Sequence, residues 1–359
     1  MKVAILFGGK SAEFDVSLKS ATNVYNSIDR EKFSPVLLGV DKSGKWFYNQ
    51  RYQTENINLT GNDYFAGASN VYLFPSVTGI NVIDKETNKI LTDFEVTFPI
   101  IHGTFGEDGT LQGFLKAMNV AFVGPDILGS AIAMDKDVTK RLLKAAGIPV
   151  ANSFTLFKHN PSEYTFGHIV STLGLPVFVK PANAGSSVGV SKVTNEEEYK
   201  TALSTAFQFD TKILVEEAII GKELECGILG NEELRVSAVG EIVATVDFYS
   251  YDAKYISETG ATLQVPATVD TGICEQIRAL AITACKAISC EGMARVDFFL
   301  SGDNKLVLNE INTLPGFTAI SMYSKVWEYS GIPEKELITQ LIELAVERHN
   351  RNQQLSTKA

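Results

Sequence analysis

The sequence feature that most constrains the fold is a pair of apolar segments near the C-terminus, residues 295–300 and 305–312. Both are rich in β-branched and aromatic residues. Residues 301–304 between them have the composition of a tight turn, so the pattern predicts a β-hairpin. Side chains alternate across a strand, which places Glu310 and Asn312 on one face of this hairpin. The partner strand can bring a further carboxylate opposite them.

Three polar side chains of this hairpin predict a metal site. Asp297 lies inside the first apolar segment, and a buried carboxylate is rare unless it is paired or binds a metal. Asp297, Glu310 and Asn312 offer hard oxygen ligands, which are those that Mg²⁺ prefers. Because Mg²⁺ held by few protein groups usually shares its shell with phosphates, the hairpin indicates a nucleotide-dependent enzyme. The alternative is an exposed hairpin whose polar residues are solvated.

Composition limits the class of protein. The 359 residues predict two or three domains, and the 45% hydrophobic and 21% charged content is typical of globular proteins. A net charge of −10 provides no basic footprint, so we expect neither nucleic acid nor membrane as a partner. The four cysteines form no C-x-x-C pair, which argues against disulfide or zinc frameworks and makes the cytoplasm the expected compartment.

Strand and helix patterns divide the chain into three predicted units. Buried-type strands and a helix alternate over the first part, which predicts a parallel sheet with ligand-facing loops; these elements are strands 3–7, 36–40 and 96–101 and helix 17–28. Residues 49–93 are turn-rich and predict loops with short strands. The predicted domains are 1–124, 125–222 and 223–359.

The later units have recognisable boundaries. A helical stretch at 124–146 ends at Gly147 and Pro149, and a capping box at 194–197 opens a further helix. Strands are expected at 176–180, 188–193 and 212–216, a helix at 337–349, and a frayed tail at 350–359.

Two segments of the central unit predict nucleotide binding. Residues 176–190 read as a strand, a small-residue loop and a second strand, with Lys180 at the end of the first strand. Backbone N–H groups and hydroxyls of such a loop can surround a phosphate, although a tight hairpin uses the same residues. Residues 213–225 place carboxylates after a strand, where they could bind an adenine amino group and ribose hydroxyls or form a solvated acidic loop.

Three further loops are candidates for function. Residues 7–17 form a strand, a Gly-Gly loop and a helix N-terminus, which favours anions. His102 follows a strand end and precedes two acids, and this loop at 102–109 could belong to a site or cap a helix. Residues 247–260 are polar, dotted with aromatic residues and too long for a tight turn, so they predict an Ω-type lid.

Taken together and in this order, these segments resemble the D-alanine–D-alanine ligases of the ATP-grasp superfamily. The resemblance extends from residues 7–13 through 102–109 and 134–136 to 309–318. It implies an α/β ATP-grasp fold, in which an N-terminal parallel α/β domain precedes two α+β subdomains that clasp ATP, and it implies a homodimer. One departure is Phe14, where the family usually has His or Arg.

The resemblance also implies which residues act. Glu13 would hold the ammonium of the first D-alanine, and the catalytic group would comprise Glu13, Ser186, Tyr255, Arg295 and Gly316. Substrate would further contact His102, Ser321 and Met322. ATP would bind Lys136, Lys180, Ser187, Glu216, Glu217, Ile219, Glu223, Lys254, Phe299 and Asn309. Two Mg²⁺ or Mn²⁺ ions would be held by Asp297, Glu310 and Asn312.

The activity implied by the resemblance is the ATP-dependent ligation of two D-alanine molecules through an acyl phosphate, for peptidoglycan precursors. A sister ligase that joins D-alanine to D-lactate or D-serine is the nearest alternative. A different ATP-grasp carboxylate–amine ligase and a non-catalytic ATP-binding module are the others. The presence of Arg295, both lysines and the three metal-ligand candidates argues against the non-catalytic module.

Overall fold

Hydrophobic strands at the N-terminus build the first sheet. The structure is a computed structural model that describes residues 1–54, 56–61, 63–244 and 261–356. The sheet contains β1 (Lys2–Gly8), β2 (Ser34–Val40), β3 (Trp46–Tyr48), β4 (Ser69–Pro75), β5 (Ile80–Asp84), β6 (Ile90–Phe94), β7 (Val96–Ile100) and β8 (Ala121–Phe122). Their order is β6-β5-β4-β3-β2-β1-β7-β8.

The first sheet is parallel in one half and antiparallel in the other. β1 pairs in parallel with β2 and β7, and β7 pairs in parallel with β8, as the βαβ pattern predicts. From β2 to β6 the neighbouring strands are antiparallel. The turn-rich segment 49–93 therefore contributes more sheet than the predicted loops with short strands.

The described helices include those predicted at 17–28, at 124–146, after 194 and at 337–349, together with helices at 110–117, 166–173, 271–287 and 322–329 that were not predicted. They are α1 (Phe14–Ser27), α2 (Thr110–Ala117), α3 (Ile127–Met134), α4 (Lys136–Ala145), α5 (Phe166–Leu173), α6 (Glu196–Ala206), α7 (Thr271–Ala287), α8 (Met322–Tyr329) and α9 (Glu334–Gln353), with a short 3-10 helix at Gln50–Tyr52. α1 begins three residues before the predicted start. α9 runs past His349, so the first residues of the tail predicted to fray are helical.

A small antiparallel sheet forms the centre of the chain. It contains β9 (Ser153–Phe157), β10 (Val177–Pro181), β11 (Ser191–Val193) and β12 (Lys212–Glu217), in the order β11-β10-β12-β9. The strand predicted at 188–193 is wrong in its first half, because Gly189 has a φ of +70° and lies in a turn. The predicted capping box is displaced by one residue: Asn195 caps α6, and Glu198 accepts the Thr194 N–H at 2.7 Å.

The C-terminal sheet contains the predicted hairpin. Its strands are β13 (Gly221–Gly230), β14 (Arg235–Ala244), β15 (Ala261–Gln264), β16 (Gly292–Ser301) and β17 (Leu306–Asn312), in the antiparallel order β15-β14-β13-β16-β17. Asp297 of β16 lies directly opposite Glu310 of β17. The register shifts after this pair, so that Asn309 is an extra residue on β17 and forms a β-bulge. A bulge redirects a side chain from the regular alternation of the strand.

The first sheet shares its hydrophobic core with the C-terminal helices, whereas the central sheet has a core of its own. Side chains of β1 and β7 pack in one cluster with those of α8 and α9, and the rings of Phe98 and Phe317 meet edge to face at 5.7 Å. The central sheet has a separate core, which includes Val177 and Ile213. The first and last parts of the chain therefore share a hydrophobic interior, whereas the central sheet has its own.

A further core lies on the other face of the C-terminal sheet, beneath α7. Leu143 of α4 and Ile148 after it belong to this core. α4 is therefore anchored to the C-terminal sheet while its first residues face the central one. Within the parts of the chain that the structure describes, no helix has both the length and the apolar character to cross a membrane.

Candidate active site

Two neighbouring cavities contain most of the predicted site residues. A large cavity of about 460 Å³ lies between the central and C-terminal sheets, and a small pocket of about 50 Å³ lies at the edge of the first sheet. Glu310 lines both. The large cavity is also lined by Lys136, Lys180, Ser187, Glu216, Glu217, Ile219, Glu223, Phe299 and Asn309. The small pocket is also lined by Glu13, His102, Ser186, Arg295, Asn312 and Gly316.

Among the described residues, the predicted site residues that line neither cavity are Asp297, Ser321 and Met322. The predicted lid at residues 247–260, with Lys254 and Tyr255, lies outside the described residues.

Charged side chains on the wall of the large cavity are held by one another. The carboxylate of Glu216 lies 2.5 Å from Lys180 Nζ and 3.0 Å from Lys140 Nζ. Burial raises the pKa of Glu216, but the positive charges of Lys180 and Lys140 outweigh this and the net shift is downward. Lys136 Nζ donates to the Ala184 carbonyl at 2.7 Å, and burial lowers the pKa of this lysine. The wall therefore presents cations beside a buried anion.

The loop between β10 and β11 connects the two cavities. Ser186 and Ser187 have φ angles of +51° and +60°, a left-handed conformation that is costly for residues other than glycine. Ser187 lines the large cavity, whereas the Ser186 hydroxyl donates to the carboxylate of Glu13 in the small pocket. A Cβ on Gly185 would lie 3.1 Å from Glu13 Oε2, so the loop approaches that carboxylate closely.

Neutral hydrogen bonds fix Glu13 at the start of α1. The Ser11 hydroxyl accepts the Glu13 N–H at 3.0 Å and donates to the His102 carbonyl at 2.7 Å. The Glu13 side chain is buried. The next residue, Phe14, is buried beside Phe65 at a ring distance of 6.0 Å, so the departure from the family pattern fills the core of the first sheet.

His102 links the first sheet to the loop after β17. Its Nδ1 lies 3.0 Å from the Leu314 carbonyl, to which it donates, and its Nε2 lies 3.1 Å from Ser20 Oγ. Glu107 Oε1 lies 3.7 Å from Nδ1. Burial lowers the pKa of His102, but the hydrogen bond and charge of Glu107 outweigh it, so the net shift is upward. Asp108, the other acid of this loop, accepts the Thr110 N–H at the start of α2.

Arg295 lies between two buried carboxylates. Its Nε and Nη2 donate to the two oxygens of Asp297 at 2.8 and 2.7 Å. On the other side, Nε lies 3.0 Å from Glu225 Oε2. The strand registers place Glu225, Asp297 and Glu310 directly opposite one another across β13, β16 and β17. The guanidinium is therefore held in one orientation beside the small pocket.

The donor set of this row fits a divalent cation with oxygen preference. Asp297 is only 4% exposed, and the Asn312 amide lies 2.9 Å from its Oδ2. Glu310, the third predicted ligand, faces both cavities. These carboxylate and amide oxygens lie where the lysine-lined cavity meets the pocket that contains Glu13. Oxygen ligands of these types are the ones that Mg²⁺ or Mn²⁺ uses.

The residues predicted for the second substrate lie at the start of α8. Ser321 precedes the helix and accepts the Thr318 N–H at 2.9 Å. A Cβ on Gly316 would lie 3.1 Å from Ser321 Oγ, which places this hydroxyl at the edge of the small pocket. The Met322 side chain is buried against Gly240 of β14. Met322 therefore offers its backbone N–H, at a helix N-terminus that favours a carboxylate.

Sequence reasoning missed three charged residues of this region. Lys140, Glu107 and Glu225 each contact a predicted site residue, at 3.0 Å, 3.7 Å and 3.0 Å respectively. The signal for Glu225 was its place two residues after Glu223 on an apolar strand, and the signal for Lys140 was its spacing of one helical turn from Lys136. The partners of Lys140 and Glu225 lie far away in sequence, so these two pairings had no local signal, whereas Glu107 and its partner His102 belong to the same loop.

Comparison with known proteins gives the chain its context. Residues 2–125 match the sequence model described as the D-ala D-ala ligase N-terminus, and residues 142–343 match that of the D-ala D-ala ligase C-terminus. The D-alanine–D-alanine ligase of Oceanobacillus iheyensis is 50% identical, with 99% of this chain and 98% of that protein covered. The D-alanine–D-alanine ligase A of Escherichia coli strain K12 is also 50% identical, over 99% of both.

Solved structures extend the likeness to the fold. The D-alanine–D-alanine ligase from Coxiella burnetii superposes with a TM-score of 0.85 at 35% identity, covering 98% of this chain and 97% of that one. The VanG D-Ala:D-Ser ligase from Enterococcus faecalis has the same TM-score at 36% identity, over 96% and 99%. The predicted ATP-grasp fold class is confirmed.

Proposed function

This chain belongs to the D-alanine–D-alanine ligase family, and we propose that it joins two D-alanine molecules at the expense of ATP. The observation that carries the proposal is the position of Glu310, which lines both the large cavity and the small pocket. A nucleotide phosphate in the cavity and a substrate carboxylate in the pocket would meet at this residue. The product would supply the dipeptide of peptidoglycan precursors.

The first step activates a carboxylate, which is a poor electrophile at neutral pH. A carboxylate oxygen of the first D-alanine attacks the γ-phosphorus of ATP, and the bond from that phosphorus to the β-γ bridging oxygen breaks. The products are an acyl phosphate and ADP. Phosphoryl transfer depends mainly on positioning and charge neutralisation. Glu13 would bind the ammonium of this D-alanine, while Lys136 and Lys180 would hold the phosphates.

The second step forms the peptide bond. The deprotonated amine of the second D-alanine attacks the acyl carbon, and phosphate leaves with the former bonding electrons. The transient oxyanion needs donors already in place, and Arg295 and the Gly316 N–H would supply them. Arg295 suits this role because Asp297 and Glu225 hold its guanidinium at 2.7–3.0 Å. Ser321 and the Met322 N–H would bind the carboxylate of the second D-alanine.

The remaining predicted roles belong to the same proposal. Asp297, Glu310 and Asn312 would hold two Mg²⁺ or Mn²⁺ ions, which neutralise phosphate charge when bound. Glu216, Glu217, Ile219 and Glu223 would bind adenine and ribose, beside Phe299, Asn309 and Ser187. Lys254 would reach the γ-phosphate. Tyr255 would join Ser186 and Glu13 in a hydrogen-bonded group beneath a lid that keeps water from the acyl phosphate.

Two further properties are part of the proposal. The chain would work as a homodimer, which sedimentation equilibrium measures directly. It would act in the cytoplasm, where ATP is available to it.

A second function, D-alanine–D-serine ligation, is favoured by one observation, the likeness to the VanG structure. The family models and the 50% identical relatives carry the name of the D-alanine ligase. Ligation of D-lactate is the remaining alternative. The chain has Tyr at position 255, and the resemblance implies that this residue is typical of dipeptide-forming ligases, whereas related depsipeptide-forming ligases carry Phe or an unrelated lid.

The experiment that tests the proposal supplies ATP, Mg²⁺ and D-Ala, alone and together with D-Ser or D-lactate, and uses L-Ala as control. Phosphate release and product masses are measured. We expect D-Ala-D-Ala as the main product, one phosphate per dipeptide, and no turnover of L-Ala. Mainly D-Ala-D-Ser would favour the second function, and ATP hydrolysis without any amino-acid dependence would exclude both.

A further inference from the structure

Glu216 is held by two lysines that lie in different surroundings. Lys180 Nζ is 2.5 Å from Oε2 and Lys140 Nζ is 3.0 Å from Oε1. Lys180 lines the large cavity together with Glu216, whereas Lys140 is 4% exposed and also donates to the Ala151 carbonyl at 3.2 Å. One carboxylate is therefore paired with a lysine on the cavity wall and with a second lysine behind that wall.

The lysine behind the wall belongs to a different part of the molecule from Glu216. Lys140 is on α4, which is anchored through Leu143 in the core of the C-terminal sheet. Glu216 is on β12 of the central sheet. The Lys140–Glu216 pair thus joins α4 to the central sheet behind the cavity wall, and its geometry is set by both elements.

The single ammonium group of Lys180 cannot form a close ion pair with both Glu216 and a nucleotide phosphate. When Lys180 turns to a phosphate, Glu216 at 4% exposure would be left as an unpaired buried charge, which is strongly unfavourable. Lys140 removes this conflict because its ammonium stays on Oε1 whatever Lys180 does. The second oxygen is then available to accept a hydrogen bond from a ligand in the cavity.

We propose that Lys140 is a positioning residue that keeps Glu216 as a negatively charged acceptor for the adenine amino group and releases Lys180 to the phosphates. The inference rests on the proposed ATP site. It adds that this site distinguishes ATP from other purine nucleotides. ATP carries an amino group at C6 that donates to a carboxylate. ITP carries a carbonyl oxygen there, which a carboxylate repels, so an anionic Glu216 favours ATP over ITP.

The test measures the dissociation constants of ATP and ITP by calorimetry, in the full chain with Mg²⁺. In Lys140→Met both nucleotides should bind more weakly, because Lys180 remains partly on Glu216. ATP should lose more, so that the preference for ATP over ITP falls roughly tenfold to a hundredfold, the range for a hydrogen bond to a charged group. Lys140→Gln, which keeps a hydrogen-bond donor but not the charge, should show the same loss. Lys140→Arg should retain the preference.

A matched control separates positioning from stability. Lys212 is also partly buried and its Nζ lies 2.6 Å from Asp135 and 3.2 Å from Asp137, so it likewise joins β12 to the start of α4 and does not line the cavity. Lys212→Met should lower thermal stability and leave the preference for ATP unchanged.

The outcomes distinguish this inference from the function on which it rests. A wild-type chain that binds no ATP would overturn both. A wild type that prefers ATP, with the same preference in Lys140→Met or Lys140→Gln, would overturn the inference and leave the ligase function standing. An equal loss in Lys212→Met would also overturn it. If Lys140→Met does not fold, the comparison of Lys140→Gln with Lys140→Arg decides.

Discussion

The small pocket and the large cavity are built in different ways. The pocket lies over a core that the first sheet shares with α8 and α9. Hydrogen bonds with Ser11, Ser20 and the Leu314 carbonyl fix its first-sheet side, and Asp297 and Glu225 fix Arg295 on its other side. The cavity lies between two separate cores, and Glu216 on its wall is paired with Lys180 of the neighbouring strand and with Lys140 of α4. We therefore expect a rigid substrate pocket beside a nucleotide cavity in which Lys180 can move from Glu216 to a phosphate.

The largest effect is expected at the residue that both regions share. Glu310→Gln should lower turnover about a thousandfold or more, because a ligand for the phosphate-bound cation is weakened where the substrates meet. Stability to urea should change little. ADP release under saturating ATP and D-Ala measures the first quantity. Glu347→Gln on exposed α9 is the control, and wild-type turnover in Glu310→Gln at millimolar Mg²⁺ would show that the metal assignment is wrong.

Two core substitutions should separate the regions in stability. Ile213→Ala and Phe317→Ala both remove fully buried side chains and should each cost about 2–5 kcal/mol. Because Ile213 belongs to the core of the central sheet alone, its loss should speed hydrogen exchange in β9–β12 and spare β1 and β7. Phe317→Ala should do the reverse. Uniform acceleration of exchange in both variants would contradict the separation of cores.

A smaller effect on rate is expected where the pocket meets the C-terminal sheet. Glu225→Gln should lower kcat roughly tenfold to a hundredfold, because Arg295 loses one of the two carboxylates that orient it. The KM for ATP should change much less, since Glu225 does not line the large cavity. Steady-state kinetics with each substrate varied give both values. An equal rise in the KM for ATP would contradict the assignment of Glu225 to the pocket.

The smallest effect is a pH dependence within the pocket. The pKa of His102 lies above its ordinary value of 6.5, despite burial, because of Glu107. A raised folded-state pKa contributes stability that is present below about pH 6.5 and is lost as the pH rises through the folded-state pKa. Glu107→Gln should therefore be less stable than wild type at low pH, with a gap that closes on the alkaline side. Urea unfolding from about pH 5.5 to 8.5 measures it, and a gap that widens with pH would contradict the assignment.

Features with strong local patterns were predictable from the sequence. Two segments rich in β-branched and aromatic residues, with a turn composition between them, predict the hairpin at residues 295–312. The two-residue spacing of Glu310 and Asn312 predicts their shared face, which the register of β16 and β17 bears out. The βαβ rhythm predicts the parallel strands. The place of Lys180 at the end of a strand, before a small-residue loop, predicted its position at the cavity, whereas the position of Lys136 followed from the resemblance alone.

The rest depended on long-range contacts or on unusual backbone conformations. β4, β5 and β6 were underestimated because turn residues interrupt their alternation and each strand is stabilised by its neighbours. The turn at Gly189 shortened a predicted strand. Lys140 and Glu225 acquire their significance only when β12 and β16 bring distant partners to them.

The central claim is that a D-alanine carboxylate in the pocket attacks a phosphate in the cavity. D-Alanine labelled with ¹⁸O in its carboxylate tests this most directly, because an acyl phosphate passes one carboxylate oxygen to the released phosphate. Mass spectrometry of phosphate and dipeptide after a limited number of turnovers measures the transfer. We predict one ¹⁸O in the phosphate for each dipeptide formed. Dipeptide formation with unlabelled phosphate would contradict the account.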